Sequence, residues 1–207
     1  MADKKNVAIL GATGAVGTQM LQCLAERDFP VGELRLLASA RSAGKKVEWC
    51  GRQIELVEAA PEAFEGMDIV LGAAGDDVAK QLLPEAVRRG ATVVDNSHAF
   101  RLDEDVPLVI PEINAEDVSW NHGLIANPNC ATIICLVPTW PLHKLGHVSR
   151  MVVSTYQAAS GAGAPGMAEL EAEICAMGRG EKLPEPRAFA DQLASNLIPQ
   201  IGSEKFE

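Results

Sequence analysis

The sequence predicts an α/β fold built on a doubly wound parallel sheet. Along its first half, short apolar runs alternate with longer segments in which apolar residues recur at helical spacing. A glycine-rich turn directly follows the first of these runs. Strands joined by helical crossovers pair in parallel, and the helices then cover both faces of the sheet.

The first half of the chain supplies two strand–helix–strand units. The predicted elements, in order, are a strand at 6–10, a helix that ends before Phe29 and Pro30, a strand at 34–37, a hairpin of 46–49 and 53–57, a strand at 68–71, a helix that ends at Gly90, and a strand at 91–94. Proline and glycine disfavour helix continuation, so both helix ends are marked by their residue types.

The pattern loosens after Arg101. The later predicted elements are a short strand at 124–126, an apolar helix that begins within 127–132 and runs toward Leu142, a strand at 151–156, a loop at 160–166 and a helix at 167–177. The strand at 151–156 is predicted because β-branched residues are enriched there, and we expect it to begin a new region. The remainder, to Glu207, is mostly turn-like.

Composition excludes several classes of protein. With 18 basic and 28 acidic residues the net charge is −10, and no basic run exceeds two residues, so we expect no nucleic-acid partner. The apolar runs are far shorter than the ~20 residues that cross a bilayer, so we expect no membrane span, and we also expect no signal peptide. Five cysteines without a CxxC pair predict reduced thiols, a cytoplasmic protein and no metal site.

The glycine turn predicts a Rossmann-like dinucleotide site. Gly11, Gly14 and Gly17 follow a strand and open a helix, which is the context that a phosphate-binding fingerprint requires. Glycines let the backbone approach a pyrophosphate, and the helix N-terminus attracts the anion. The spacing is GxxGxxG, so a tight turn without a ligand is the alternative.

The end of the second strand favours NADP over NAD. An NAD-selective site carries Asp or Glu there, whereas this chain has Ser39, Arg41 and Ser42. A guanidinium between two hydroxyls suits a 2′-phosphate. The alternative is that Arg41 is an ordinary surface charge.

Cys130 is the candidate nucleophile. It follows Asn-Pro-Asn and stands at the start of a strongly apolar helix. The positive end of a helix stabilises thiolate over thiol, and a thiolate attacks acyl carbon to form a thioester. The alternative is a structural cysteine, and we expect that role for Cys135 and for the other three, as buried small residues.

Six segments together resemble aspartate-β-semialdehyde dehydrogenases over essentially the whole chain. They are the glycine turn, 38–44, 94–97, 109–114, 127–132 and 154–163, all in order. The Asn-Pro-Asn-Cys motif differs from the His-Pro-Gly-Cys form of the sister family, N-acetyl-γ-glutamyl-phosphate reductase, which remains an alternative, as does a non-catalytic NADP-binding module.

The resemblance implies NADPH-dependent reductive dephosphorylation of L-aspartyl-4-phosphate to the semialdehyde, in lysine, diaminopimelate, methionine, threonine and isoleucine biosynthesis. Cys130 is then the nucleophile and Asn129 positions the carbonyl. Arg101 holds the phosphate, Asn96 lies nearby as a further substrate-binding residue, and Gln157 orients the substrate. The implied cofactor contacts are Gly11, Thr13, Gly14, Ala15, Val16, Ser39, Arg41, Ser42, Ala74, Gly75, Ser160, Gly161 and Gly163. Asn196 also lies in a recurrent motif.

The resemblance further implies a homodimer or homotetramer and two domains. Residues 1–128 would bind NADP, and residues 129–207 would begin an incomplete α+β catalytic and dimerisation domain. The family's catalytic histidine lies in an Arg-x-Pro-x-x-x-x-His segment, which none of the four histidines matches. We therefore expect a truncated form of the enzyme with weak or no activity.

One departure from the family pattern lies beside the cofactor positions. Asp76 and Asp77 stand where hydroxyl residues are common. Two carboxylates would disfavour a neighbouring pyrophosphate, but they also suit the first turn of the helix that follows, and we favour the helix interpretation.

Overall fold

The computed structural model describes residues 3–199, and its main element is a seven-stranded sheet in the order β3-β4-β2-β1-β5-β6-β7. The strands are β1 Lys5–Leu10, β2 Val31–Ala38, β3 Lys46–Trp49, β4 Arg52–Glu58, β5 Ile69–Gly72, β6 Thr92–Asp95 and β7 Leu124–Ala126. The helices are α1 Ala15–Glu26, α2 Asp76–Arg88, α3 Pro111–Asn114, α4 Cys130–Gly146 and α5 Gly163–Arg179. Every pair of neighbouring strands is parallel except the β3–β4 hairpin. The predicted fold class is confirmed.

Alternation along β1 explains why helices cover both faces of the sheet. Val7 and Ile9 belong to one buried cluster, which includes residues of α1. Ala8 and Leu10 belong to a second cluster, which includes residues of α2. Successive side chains of a strand point to opposite faces, so a strand that is apolar throughout is buried on both.

The predicted strand at 151–156 is wrong. The structure has no strand there, and the side chains of Val152 and Tyr156 are 83% and 81% exposed. A β-branched run forms a strand only when a neighbouring edge accepts its backbone hydrogen bonds. Among residues 3–199 no strand pairs with this segment.

The chain divides into two compact units between Val153 and Ser154. In the second unit, two carboxylates of α5 fix the turn-like segment that follows the helix. Glu169 accepts the backbone N–H groups of Arg187 and Ala188, both at 2.7 Å. Glu173, which is fully buried, accepts those of Leu193 at 3.0 Å and Ala194 at 2.7 Å. This segment therefore has a defined path without regular secondary structure.

The Glu169 contacts predict an acid-sensitive second unit. The N–H of Ala188, with those of Arg187 and Phe189, holds the pKa of Glu169 below its ordinary value of 4.5. A lowered carboxyl pKa contributes stability that is present above the ordinary value and is lost as the pH falls through the lowered one. We expect the amide resonance of Ala188 to move in that acidic range and to stop doing so in Glu169→Gln. Glu171→Gln, on the same helix, is the control; a resonance that titrates equally in both variants would contradict the assignment.

Candidate active site

The predicted site segments of the first unit all follow the carboxyl ends of parallel strands. Residues 11–17 follow β1, residues 39–44 follow β2, residues 73–75 follow β5, residues 96–101 follow β6, and residues 127–130 follow β7. Neighbouring strands lie roughly 4.8 Å apart, so these segments form one row along one edge of the sheet. Ligands of open α/β sheets bind at this edge, beside the strand where the winding direction reverses, which here is β1.

The glycine turn lies directly against the segment after β5. Gly11 has φ of 85°, and its N–H and that of Ala12 donate to the carbonyl of Leu37 at 2.9 and 3.0 Å. A Cβ at Gly11 would stand 2.7 Å from the carbonyl oxygen of Ala73. Only glycine permits both this φ and this close approach. The glycine turn therefore packs directly against the segment 73–75.

The start of α1 has the features that suit a pyrophosphate. Gly14 caps the helix without a side-chain hydrogen bond, and the first turn contains no acidic residue. A Cβ at Gly75 would meet no atom within 4 Å, so space is open at the start of α2 as well. A helix N-terminus whose N–H groups donate to no side-chain cap, and whose first turn carries no acidic residue, attracts an anion. The local structure therefore fits the phosphates of a dinucleotide.

Replacement of Gly17 by a residue with a Cβ should destabilise the fold strongly. A Cβ there would stand 2.3 Å from the carbonyl oxygen of Gly11 and 2.8 Å from Cα of Ala12. Because both atoms are backbone, the turn must shift, and we expect Gly17→Ala to lower the free energy of unfolding by about 2–3 kcal/mol in urea denaturation. Gly178→Ala, with no atom within 4 Å of its Cβ, is the control. Equal stability of the two variants would contradict this packing role.

The segment after β2 presents the predicted 2′-phosphate residues. Ser39 and Arg41 are exposed and Ser42 is half-buried. The N–H of Ser42 donates to the carbonyl of Ser39 at 2.8 Å, which closes a turn. β2 is the neighbour of β1, so this turn lies next to the glycine turn in the row.

The acidic pair begins α2. Asp76 is the first helical residue and accepts the N–H of His98 at 2.9 Å, and its Oδ1 lies 3.5 Å from Nδ1 of His98. Asp76 therefore connects α2 to the loop after β6, in agreement with the helix interpretation.

Arg101 and Asn96 are brought together with the segment that leads to Cys130. Nε of Arg101 donates to the carbonyl of Asn127 at 2.8 Å, and Nη2 donates to the carbonyl of Asn96 at 3.0 Å. The side-chain amide of Asn127 donates to Oδ1 of Asn96 at 2.6 Å. The loop after β6 and the loop after β7 are thus joined by both backbone and side-chain hydrogen bonds.

Asp95 supports this loop from below and was missed as a site residue. It is fully buried and accepts from the N–H and the hydroxyl of Ser97. Burial raises the pKa of Asp95, and the hydrogen bonds from Ser97 and the charge of Arg101 oppose that rise. An aspartate at the end of an apolar strand, two residues before a serine, was the available sequence signal.

Cys130 is the first residue of α4 and is exposed. Asn129 caps the helix, since its Oδ1 accepts the N–H of Ala131 at 2.9 Å, and the first turn contains no acidic residue. The prediction that the remaining cysteines are buried is wrong for three of them: Cys23, Cys50 and Cys175 are exposed. Apolar spacing places a residue on a helix but does not settle which face the helix buries.

In the second unit, the predicted residues cluster around a short 3₁₀ helix, Ala159–Ala162. Gln157, Ser160 and Gly161 are exposed, and a Cβ at Gly161 would stand 2.1 Å from Nε2 of Gln157. Gly163 has φ of 73° and begins α5. The Gln157 side chain therefore packs across Gly161.

Within 3–199, no three His, Cys, Asp or Glu side chains are grouped so as to hold a metal ion. In the same range, no helix combines the length and the apolar character needed to span a bilayer.

Comparison with known proteins decides the family. The family model described as the NAD binding domain of semialdehyde dehydrogenase matches residues 6–120, and the model of the dimerisation domain of semialdehyde dehydrogenase matches residues 140–207. This chain belongs to the semialdehyde dehydrogenase family.

Individual relatives of this semialdehyde dehydrogenase chain are named aspartate-semialdehyde dehydrogenase. The Synechocystis protein is 49% identical across 96% of the chain and 59% of its own length. The Bacillus subtilis protein is 46% identical across 98% of the chain and 60% of its own length. The resemblance inferred from the motifs is confirmed.

Solved structures agree with this assignment. The Vibrio cholerae aspartate semialdehyde dehydrogenase II complexed with ASA has a TM-score of 0.92 and 42% identity, covering 97% of this chain and 60% of that one. The Candida albicans enzyme with NADP has a TM-score of 0.60 and 28% identity, covering 70% of this chain and 48% of that one. The semialdehyde dehydrogenase chain thus spans about 60% of the length of its Synechocystis and Bacillus subtilis relatives.

Proposed function

We propose that this chain serves the NADPH-dependent reductive dephosphorylation of L-aspartyl 4-phosphate to L-aspartate 4-semialdehyde. The observation that carries the proposal is the junction at Asn127. This residue lies three positions before the exposed Cys130 at the N-terminus of α4, and it hydrogen-bonds to Arg101 and Asn96 in the loop after β6. The names of the relatives, and the Vibrio structure complexed with ASA, support the substrate.

Four residues at or beside this junction have a chemical role in the proposal. The thiolate of Cys130 attacks the acyl carbon, the carbon–oxygen bond to phosphate breaks, and a thioester remains. Arg101 and Asn96 hold the departing phosphate with N–H donors. Asn129 keeps its Oδ1 on the helix cap, so its amide nitrogen is the group left to donate to the acyl oxygen. The role of Gln157 in orienting the substrate stays a prediction from the resemblance.

NADP is the proposed cofactor. When bound, NADPH supplies the hydride that reduces the acyl group to the aldehyde. The glycine turn and Gly75 would hold its phosphates, and Ser39, Arg41 and Ser42 would hold its 2′-phosphate. The Candida structure with NADP supports this choice, as does the absence of an acidic residue at 39–44.

Arg41 provides the test of cofactor choice. A hydrogen bond to a charged group contributes about 1.5–3 kcal/mol, so we expect Arg41→Ala to weaken NADPH binding by roughly ten- to a hundredfold. NADH binding should change by less than about twofold, since NADH lacks the 2′-phosphate. Fluorescence titration measures both affinities, with Arg52→Ala on the β3–β4 hairpin as the control. Equal weakening for NADPH and NADH would contradict a 2′-phosphate contact.

The proposed domains, assembly and setting follow the resemblance. Residues 1–128 would form the NADP-binding part and residues 129–207 the start of the catalytic domain. The proposed assembly is a homodimer or homotetramer, and the family description of residues 140–207 as a dimerisation domain supports self-association. The setting is the cytoplasm, in the biosynthesis of lysine, diaminopimelate, methionine, threonine and isoleucine.

Acyl transfer to Cys130 tests the function directly. The 207-residue chain is mixed with L-aspartyl 4-phosphate, and site-resolved mass spectrometry locates the thioester while a colorimetric assay follows phosphate release. We expect a thioester at Cys130 and a matching release of phosphate. A thioester formed faster with N-acetyl-γ-glutamyl phosphate would favour the sister reaction. Acylation of Cys130 no faster than of Cys135 would overturn the nucleophile and favour a binding module.

A further inference from the structure

Asn127 uses three of its four polar groups to join two loops. Its N–H donates to the carbonyl of Asp95 at 2.8 Å, which continues the pairing of β6 with β7. Its carbonyl accepts Nε of Arg101 at 2.8 Å, and its side-chain nitrogen donates to Oδ1 of Asn96 at 2.6 Å. The proposed reaction steps do not involve Asn127 itself.

The side-chain contact fixes which end of the Asn96 amide faces outward. A primary amide carries one oxygen acceptor and one NH₂ donor on the same carbon. Because Oδ1 of Asn96 is occupied by Asn127, the NH₂ group is the end left for a ligand, and within residues 3–199 it donates to no other atom. An amide held in this orientation presents donors, which an anion requires.

The backbone contact orients Arg101 in the same way. Two of its five N–H donors are used on the carbonyls of Asn127 and Asn96, which leaves three. Within the described part of the chain, no carboxylate lies within ion-pair distance of this guanidinium, although it is only half exposed. Because its partners are neutral carbonyls, the positive charge of this half-buried guanidinium is not neutralised by a carboxylate and is available to attract an anion.

The position of Asn127 relates this anion site to the nucleophile. Asn127 precedes Cys130 by three residues, so the two Cα atoms are at most about 11 Å apart. The loop that receives Arg101 is therefore the loop that presents the thiol.

We propose that Asn127 is a positioning residue that turns the NH₂ group of Asn96 and the free edge of Arg101 toward the phosphate beside Cys130. This inference rests on the proposed function, in which these two residues hold that phosphate. Asn127 itself acts through Asn96 and Arg101 and does not touch the substrate.

The test compares two alkylating reagents on the 207-residue chain. Iodoacetate is an anion and iodoacetamide is neutral, so the ratio of their rates at Cys130 reports anion attraction, while the iodoacetamide rate alone reports thiol access. Site-resolved mass spectrometry separates Cys130 from the other cysteines. We expect Arg101→Ala to lower the ratio about tenfold and Asn127→Ala to lower it about threefold, with the iodoacetamide rate changed less than twofold. Asn121→Ala, whose side chain bonds only within its own turn, is the matched control.

A double-mutant cycle distinguishes positioning from general loosening. If Asn127 acts through Asn96, then adding Asn127→Ala to Asn96→Ala changes the ratio no further. Additive losses would overturn the inference, as would an unchanged ratio in Asn127→Ala when Arg101→Ala lowers it. An unchanged ratio in Arg101→Ala would instead count against the proposed function.

A second measurement needs no variant to fold. In the isotope-labelled wild-type chain, inorganic phosphate should shift the side-chain NH₂ resonances of Asn96 in a saturable manner, because those hydrogens face the anion. If phosphate leaves the Asn96 resonances in place while it shifts the guanidinium resonances of Arg101, the assigned orientation of the Asn96 amide is wrong.

Discussion

Cys130→Ser should reduce thioester formation and the accompanying phosphate release by at least about 10⁴-fold. A serine hydroxyl is a far weaker nucleophile toward acyl carbon than a thiol unless a general base activates it. Removal of a nucleophile typically costs this much or more in enzymes that proceed through a covalent intermediate. Phosphate release from L-aspartyl 4-phosphate and mass spectrometry of the labelled peptide provide the two measurements.

Cys135→Ser is the matched control for that result. Cys135 lies five residues further along α4, is half-buried, and is given no role in the chemistry. Its replacement should leave acyl transfer within about twofold of the wild-type rate. Retention of more than a tenth of the rate in Cys130→Ser would refute covalent catalysis by this cysteine.

Asp95→Ala should lower the free energy of unfolding by about 3 kcal/mol. The substitution leaves the buried N–H and hydroxyl of Ser97 without their acceptor and opens a cavity beside Gly72, where Oδ1 of Asp95 now packs. Urea denaturation measures the loss. Asp77→Ala is the control, because Asp77 is exposed on α2. A loss below about 1 kcal/mol would show that Asp95 does not support the loop.

Comparison of the wild type with Asp95→Asn isolates the charge of this group. Burial raises the pKa of Asp95 above its ordinary value of 3.8, so the folded chain holds the proton more tightly than the unfolded chain does. The resulting stabilisation is complete below the ordinary value and is lost as the pH rises through the raised one. The stability of the wild type relative to Asp95→Asn should therefore fall with rising pH and then level off. A difference independent of pH would contradict the raised pKa.

The strands of the sheet could be predicted from the sequence because each has a recognisable local pattern of apolar residues and boundaries. β1 is apolar on both faces and lies between glycine and polar boundaries, so its type and its burial follow from local pattern alone. Residues 151–156 have an equally strong β-branched pattern, yet they form no strand. The difference lies in whether a neighbouring edge is present, which the residues of the segment do not encode.

The candidate site shows the same division. The positions of Cys130 and Asn129 at the start of a helix, and of the glycine turn between a strand and a helix, could be predicted because each motif is contiguous. The roles of Asp95 and Asn127 depend on contacts between β6, β7 and the loop at 96–101, which a single sequence does not reveal. Exposure of Cys23, Cys50 and Cys175 was likewise missed, because it depends on how each helix or turn faces the rest of the chain.

The guanidinium of Arg101 is oriented by two main-chain carbonyls, so its position should withstand substitution of the side chains at those two residues. Substitution at position 96 or 127 removes a side chain but leaves each carbonyl where the strand before it ends. Single replacements of neighbouring side chains will therefore understate how firmly the arginine is placed. Moving the arginine requires a change in the register of β6 or β7, which the buried residues of those strands oppose. If the proposed function holds, directed evolution of this fold should change the acyl substrate more readily than the position of the phosphate.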